Sequence, residues 1–81
     1  MAGTGVQYYR QRKGLSQTAL AGRLRIDGAR MSRIESGESI PTAAEIDKLV
    51  KILEIPPSHL FSTHILAEVA DRARGRAKVA S

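Results

Sequence analysis

Two arginines and a serine, Arg30, Ser32 and Arg33, stand in one short segment around the apolar residues Met31 and Ile34. A guanidinium can donate a pair of hydrogen bonds to O6 and N7 of guanine, and a guanidinium or a hydroxyl can also donate to a phosphate. In a helix the two apolar residues share one face, because they are three positions apart, and the polar side chains point elsewhere. The segment therefore predicts a helix that packs on one side and offers hydrogen-bond donors on the other.

Catalytic and metal-binding chemistry has no comparable support in the sequence. His59 and His64 are five residues apart, which would place them about 140° apart around a helix, and the chain contains no cysteine. No serine, histidine and carboxylate stand in an arrangement that would activate a nucleophile. We therefore expect no enzymatic activity, no metal and no cofactor.

Size and charge favour a small domain that binds a polyanion. The 81 residues suffice for one domain with a small core, and 13 Lys and Arg against 8 Asp and Glu give a net charge of +5. A basic surface attracts nucleic acid, because each neutralised phosphate releases counterions. The lack of cysteine, and of any apolar run of about 20 residues, favours a cytoplasmic, nucleoid-associated protein over a membrane protein.

Helix signals divide the first half of the chain into three short helices. A first helix ends at Gly14, and Ser16 is a good N-cap for a second helix. Asp27 is the next preferred N-cap, and it precedes a third helix at residues 28 to 36. Two short helices joined by so few residues are typical of a helix-turn-helix, here at about residues 17 to 35.

The second half of the chain predicts further helices and no strand. Thr42 begins a capping box for a clearly amphipathic fourth helix, and Pro57 suits the first turn of a fifth helix that is either broken or extended. The expected fold is all-α, with one compact five-helix domain at residues 1 to 74 and a flexible basic tail at residues 75 to 81. We expect Gly3-Thr4-Gly5 to be a flexible terminus.

The sequence around these helices resembles the lambda-repressor and Cro (XRE-type) helix-turn-helix family. The resemblance rests on a set of short motifs, which are Gly14-Leu15-Ser16-Gln17, Leu20-Ala21, Met31-Ser32-Arg33-Ile34-Glu35-Ser36-Gly37, Pro41, Leu53-Glu54-Ile55 and Leu60-Phe61. It covers about residues 6 to 61. It implies a lambda-repressor-like fold in which the helix after Asp27 enters the major groove of double-stranded DNA.

The resemblance also implies that the first two residues of the third helix, and one about a turn later, contact base edges. These residues are Gly28, Ala29 and Arg33. Gly28 and Ala29 offer no side-chain hydrogen bond, so amide readout of adenine is absent, although Ala29 can touch a thymine methyl group. We expect Arg33 to read guanine, and Arg30 and Ser32 to reach either bases or phosphates. The alternative is that both arginines contact only phosphates, which would make binding salt-sensitive and poorly selective.

Other residues are candidates for contact with the DNA backbone. Gln17 stands in the first turn of the second helix, where free N–H groups and the helix dipole attract a phosphate, and the alternative is a solvated glutamine after the N-cap. The resemblance adds four residues that flank the reading helix, Arg12, Lys13, Ser39 and Thr42. The alternative for each is a solvated surface residue, and Thr42 could also serve only as a helix cap. It further implies a buried ion pair between Arg10 and Glu35, which would fix the orientation of the reading helix more than it stabilises the fold.

The last helix carries an apolar stripe made of Ile65, Leu66, Val69 and Ala73. The stripe could fold back on its own domain, form a two-fold dimer seam or hold a partner protein. We favour a homodimer, because it enlarges a small core and pairs two reading helices. Two such helices about 34 Å apart would match successive major-groove turns and predict an inverted-repeat operator.

These expectations combine into a transcriptional regulator that blocks or recruits RNA polymerase. We expect no small-molecule effector, since the chain shows no domain for one. Two settings are open, the control of a restriction-modification system, which we favour because controller proteins of this kind are similar in length and layout, and a prophage repressor. One rival function is an antitoxin that holds a toxin protein and autoregulates its promoter. Another is membrane-surface binding by the basic tail.

Overall fold

The computed structural model describes residues 3–80, and the side chains of residues 3–74. Six helices follow one another, α1 (Val6–Arg12), α2 (Gln17–Leu24), α3 (Gly28–Ser36), α4 (Ala43–Leu53), α5 (Pro57–Leu60) and α6 (Thr63–Ala80). The expected all-α fold is confirmed. The expected fifth helix is broken into α5 and α6, because Phe61 adopts an extended backbone (φ −134°, ψ 150°) between them.

Side-chain caps fix where three of these helices begin. The Ser16 side chain accepts a hydrogen bond from the backbone N–H of Ala19, and that of Asp27 accepts one from Arg30. At α4 the Thr42 hydroxyl accepts from the backbone of Glu45, whose carboxylate accepts in return from the backbone N–H of Thr42. These bonds satisfy donors that the first turn of a helix leaves free, and they confirm the predicted starts.

Left-handed backbone ends the two helices of the helix-turn-helix. Gly37 closes α3 at φ 90°, as the sequence predicts. Arg25 closes α2 at φ 60° and ψ 44°, a conformation that a residue with a Cβ seldom adopts. The two helices are therefore joined by three residues, and α3 begins directly after Asp27.

All six helices contribute to one apolar core. The buried hydrophobic residues come from every helix and from Phe61, and they are Val6, Leu20, Ala21, Leu24, Met31, Ile34, Ile46, Leu49, Leu53, Leu60, Phe61 and Val69. The predicted apolar pair of α3, Met31 and Ile34, is completely buried. Both α2 and α3 contribute to this core with one face and keep the opposite face exposed. Packing in a shared core fixes the orientation of the two helices relative to each other.

The N-terminal segment is held in place, which corrects the expectation of a flexible terminus for residues 3–5. The backbone N–H of Thr4 donates to the carbonyl oxygen of Glu35 at 2.9 Å, and that of Gly5 donates to the carbonyl oxygen of Leu60 at 2.8 Å. Both partners are distant in sequence, so no local sequence pattern predicts these hydrogen bonds.

The C-terminal helix runs past the predicted domain boundary. The helix α6 extends to Ala80, whereas the sequence places the end of the ordered domain near residue 74. The sequence also predicts a flexible tail at residues 75 to 81. The side chains of these residues lie outside the described part of the chain, so this flexibility stays a prediction. None of the helices in the described part of the chain combines the length and the apolar character needed to cross a membrane.

Candidate nucleic-acid interface

The exposed face of α3 carries four residues at helical spacing. Ala29, Ser32, Arg33 and Ser36 are exposed, while Met31, Ile34 and Glu35 are buried on the other side of the helix. Residues three and four positions apart lie on one face of a helix, so Ala29, Arg33 and Ser36 form a row that Ser32 borders. We call this the reading face. Three of its four members were predicted from the sequence, and Ser36 was not.

Arg33 is the cation of the reading face. Within residues 3–74 its guanidinium has neither a hydrogen bond nor an ion pair to protein, although its carbonyl oxygen accepts from the backbone of Glu38 and Ser39. A guanidinium without a protein partner can give all five of its N–H donors to a ligand. The geometry therefore supports the expected role of Arg33 in base readout.

Arg30 is held differently, and the structure does not bring its guanidinium to the reading face. Its Nε and Nη2 donate to the two carboxylate oxygens of Glu45, at 2.8 and 2.7 Å, and Nη2 lies 3.4 Å from the Ile40 carbonyl oxygen. The hydrogen bond from Arg30 lowers the pKa of the Glu45 carboxyl, against the opposing effect of burial, and the same bond raises the pKa of Arg30. A fork-to-fork pair of this kind fixes α3 against α4, so Arg30 is placed as a positioning residue.

Gly28 and Ala29 form a low surface at the start of α3. Both residues are exposed, and a Cβ added to Gly28 would meet no atom within 4 Å. The N-terminal end of the helix can therefore approach a base pair closely. Contact by shape at Gly28 and by the methyl group of Ala29 stays a prediction for which both residues are accessible.

A buried ion pair joins the reading helix to α1. Arg10 donates to Glu35 through Nε at 2.6 Å and through Nη2 at 3.1 Å, and both side chains are more than nine-tenths buried. Arg10 also donates to the carbonyl oxygen of Leu15 in the turn before α2. The pair implied by the family resemblance is thus present. Because no buried side-chain nitrogen or oxygen among the described residues lacks a hydrogen-bond partner, the pair fixes the orientation of α3 at little cost in unpaired charge.

Gln17 belongs to the same hydrogen-bond network. Its Nε2 donates to Oε1 of Glu35 at 3.1 Å, so the half-buried amide points along the edge of α3. An amide has a second N–H donor, and the backbone N–H groups of the first turn of α2 are adjacent to it. The amide that the sequence offers for a phosphate contact is therefore already oriented by Glu35.

A polar cleft of about 450 Å³ runs beside the reading face. It is lined by residues of α1, α2, α3 and the N-terminal segment, which are Gly3, Gln7, Gln17, Ser32, Glu35 and Ser36. Gln7 and Ser36 were missed from the sequence. The signal for Ser36 was its spacing of three from Arg33, whereas Gln7 becomes a neighbour of α3 only through the tertiary fold.

The remaining backbone candidates are dispersed. Arg12 and Lys13 line a separate cleft with Tyr8 and Tyr9, where Arg12 lies over the Tyr8 ring and Lys13 pairs with Glu54 at 3.3 Å. None of the residues that line this cleft also lines the cleft beside the reading face.

Two further candidates lie after α3. Ser39 is half-buried, and its backbone N–H donates to the carbonyl oxygen of Arg33, so it stays close to the reading helix. Thr42 uses its hydroxyl to cap α4, and it lines a groove with α6 instead of the cleft beside α3. The geometry therefore favours Ser39 over Thr42 as a neighbour of DNA bound at the reading face.

The two histidines lie in different helices, His59 in α5 and His64 in α6. The His59 ring stacks on Tyr9, with 6.5 Å between ring centroids. Within the part of the chain that the structure describes, no three His, Cys, Asp or Glu side chains are grouped so that they could hold a metal ion.

The apolar stripe of α6 is partly used within the chain itself. Val69 is buried in the core, and Ile65 and Leu66 are half-buried against it. Val69 therefore packs mainly on its own domain, which is one of the alternatives for this stripe, in the core that α6 shares with α4 and α5. Ala73 remains exposed, and it lines a groove of about 480 Å³ whose other residues are Ile40, Pro41, Thr42, Ala43, Ala44, Val69 and Arg72.

Comparison with known proteins agrees with this geometry. A family model described as a helix-turn-helix domain matches residues 3–60. Among solved structures, the chain is similar to the restriction-modification controller protein C.AhdI from Aeromonas hydrophila, with 33% sequence identity and a TM-score of 0.62 over 70% of this chain and 86% of that chain. A search of curated proteins found no match.

The matched region contains the helix pair, its caps and the ion pair that fixes it. The family model spans more than half of the chain, and the predicted resemblance to helix-turn-helix proteins is confirmed. This chain belongs to the helix-turn-helix domain family of DNA-binding proteins.

Proposed function

We propose that this protein is a transcriptional regulator that binds an inverted-repeat operator in double-stranded DNA as a homodimer. The observation that carries the proposal is the reading face of α3. It combines one cation without a protein partner in the described residues, Arg33, with small or hydroxyl-bearing neighbours, on a helix that Arg10 and Glu35 hold in a fixed orientation. A rigid helix with such a face can enter the major groove.

Sequence selectivity in this proposal depends on arginine and on DNA shape. Arg33 reads guanine through O6 and N7, Ala29 touches a thymine methyl group, and Gly28 permits close approach. Ser32 adds a hydroxyl that can donate to a base or to a phosphate. Because few base-specific donors are present, the deformability of the operator contributes the rest of the selectivity.

Contacts to the DNA backbone set the register of the reading helix. Gln17 and Ser39 lie beside α3 and are the best placed of the expected backbone residues. The net charge of +5 adds an attraction that does not depend on sequence. Phosphate contacts therefore position the helix, and Arg33 discriminates between sites.

A homodimer would place two reading faces on successive turns of the major groove, about 34 Å apart. The groove between α6 and the start of α4 offers a partly apolar surface for the second copy, and Ala73 is exposed within it. Pairing two identical heads by a two-fold axis matches the symmetry of an inverted repeat.

The biological setting we favour is control of a restriction-modification system. It is supported by the 33% identity to a controller protein over most of that protein's length. A regulator of this kind would act on the nucleoid in the cytoplasm, by blocking or recruiting RNA polymerase, and its own concentration would be the signal. A prophage repressor is the other setting that this reading face would serve.

The test is selection of duplexes from a random pool by the purified protein, followed by sequencing. We expect an inverted repeat whose half-sites contain a guanine and are centred about one helical turn apart. A pool that shows no enrichment over its starting composition, at a salt concentration where binding occurs, would contradict a sequence-specific regulator. Enrichment of single half-sites would retain DNA recognition and contradict the homodimer.

A further inference from the structure

The segment Gly3-Thr4-Gly5 joins the ends of two helices. The end of a helix leaves its last carbonyl groups without partners inside the helix. Here the carbonyl oxygen of Glu35, at the end of α3, accepts from the backbone N–H of Thr4 at 2.9 Å and from its hydroxyl at 3.2 Å. The carbonyl oxygen of Leu60, at the end of α5, accepts from the backbone N–H of Gly5.

Close approach to the helices leaves no room for a side chain at Gly5 and little room at Gly3. A Cβ on Gly3 would lie 3.0 Å from the carbonyl oxygen of Glu35, and one on Gly5 would overlap the carbonyl oxygen of His59. Neither contact is with a flexible side chain, because both atoms belong to the backbone. The pattern Gly-Thr-Gly therefore fits the space between the ends of α3 and α5.

Glu35 is held from three directions through two different groups. Its carboxylate accepts from Arg10 and Gln17, and its carbonyl oxygen accepts from Thr4. The side chain links α3 to α1 and α2, and the carbonyl links α3 to the N-terminal segment. Glu35 follows Arg33 by only two residues, so a displacement of this end of α3 would also move the guanidinium that reads DNA.

We propose that the N-terminal segment is a clamp that positions the reading helix, with Thr4 as the positioning residue. The inference rests on the proposed function, since what the clamp improves is discrimination between DNA sequences. A specific contact from Arg33 needs an accurate placement of the guanidinium, whereas a phosphate contact tolerates displacement. Loosening the clamp therefore lowers selectivity more than it lowers general affinity for DNA.

The main variant is Thr4→Val, which removes the hydroxyl and keeps the shape and the backbone N–H. Thr4→Ser retains the hydroxyl and should rescue the function. Thr63→Val is the matched control, because Thr63 is exposed at the start of α6 and its side chain has no hydrogen bond among residues 3–74. Gly5→Ala provides a second disruption of the clamp that leaves Thr4 unchanged.

The binding experiment uses the duplex that the wild-type protein selects from a random pool, and poly(dI-dC) as the non-specific DNA. Thr4→Val loses the hydroxyl bonds to the Glu35 carbonyl and the Val6 N–H, and Gly5→Ala places a Cβ against the backbone of His59. We expect both to reduce the ratio of the two affinities about three- to tenfold. Thr4→Ser and Thr63→Val should retain the wild-type ratio. A role in stability alone would lower the melting temperature and leave this ratio unchanged in the folded protein, which would overturn the proposal.

Amide hydrogen exchange without DNA separates failure of the clamp from failure of the proposed function. We expect faster exchange of the last backbone amides of α3 in Thr4→Val than in Thr63→Val. If the wild-type protein selects no duplex, the proposed function fails, and the exchange rates alone decide whether the segment holds α3. Equal exchange rates in the two variants would overturn the clamp even if selective DNA binding is found.

Discussion

At the level of single residues, the two arginines of α3 differ in what already holds their guanidinium groups. Arg30 gives two hydrogen bonds to Glu45, so its use by DNA would leave a largely buried carboxylate without its partner. Arg33 has no such bond to break within the described residues, and it lies on the exposed face beside Ala29 and Ser36. The sequence offers both arginines as candidates for base contact, whereas the structure separates them by their partners.

The first prediction concerns Arg33→Ala. We expect binding to the selected operator to weaken by about 1 to 3 kcal/mol, because a bidentate contact with guanine is lost. The preference for guanine at one position of each half-site should relax, and the slope of affinity against salt concentration should change little. Fluorescence anisotropy with operators altered at each position measures both effects.

Arg23→Ala is the control for that measurement, since Arg23 is an exposed cation on the neighbouring helix α2 and loses the same charge. It should weaken all duplexes alike and leave the base preference intact. If Arg33→Ala behaves in the same way as Arg23→Ala, then Arg33 contacts only phosphates, and the selectivity must come from DNA shape.

At the level of elements, α3 is fixed to α4 by the pair of Arg30 and Glu45, and this attachment depends on pH. The pKa of Glu45 is lower in the folded protein than its ordinary value, so below that value the unfolded chain binds more protons than the folded one. The stabilisation is therefore complete above the ordinary pKa of about 4.5 and is lost as the pH falls through the lowered pKa.

The second prediction follows from this sign. Glu45→Gln, which keeps the shape and the capping oxygen, should be less stable than wild type by about 1 kcal/mol near neutral pH. The difference should shrink toward zero as acid protonates Glu45 in the wild-type protein, and urea denaturation at several pH values measures it. Asp47→Asn on the same helix is the control, because its exposed pair with Lys51 should contribute little at any pH. A constant difference between Glu45→Gln and wild type would contradict the assignment.

The turn between α2 and α3 carries a third prediction. Arg25 has a left-handed backbone, which costs a residue with a Cβ about 1 to 2 kcal/mol, whereas glycine adopts it freely but loses more entropy on folding. Arg25→Gly should therefore raise the free energy of unfolding by about 0.5 to 1 kcal/mol, the range seen for such compensating changes. Lys48→Gly, in the middle of α4 at an exposed position, should instead lower it by about 1 kcal/mol. Thermal denaturation distinguishes the two, and a loss of stability in both would contradict the strain at Arg25.

The elements were more predictable from the sequence than the contacts between them. Ser16, Asp27 and Thr42 cap helices through bonds to residues only three positions away, so their roles can be recognised locally. The partners of Arg30 and Thr4 are 15 and 31 positions away, and no periodicity identifies them. The sequence consequently predicts where the reading helix begins and ends, and it misses two of the attachments that orient it.

At the level of the whole molecule, α6 divides its apolar residues between the core and the surface. Val69 packs inside, and Ala73 one turn later is exposed in the groove beside Pro41. The first half of the helix therefore stabilises its own domain, and among the side chains described up to residue 74 the surface near Ala73 is the most accessible apolar part of the stripe for a second copy. A dimer built on this groove is smaller than one built on the whole stripe, so one charged substitution there should suffice to weaken it.

The last prediction tests this surface with Ala73→Glu. A carboxylate buried at the seam without a partner should weaken the dimer on the order of tenfold or more, as measured by sedimentation equilibrium. Ala67→Glu is the matched control, because it adds the same charge to the same helix at an exposed position on the side away from Val69. The Ala73→Glu variant should also bind a full inverted repeat little better than a single half-site, whereas the control should retain the advantage of two heads. Equal association of both variants would show that the dimer interface does not include this groove. A wild-type chain that stays monomeric while it co-purifies with a neighbouring gene product would support the antitoxin alternative.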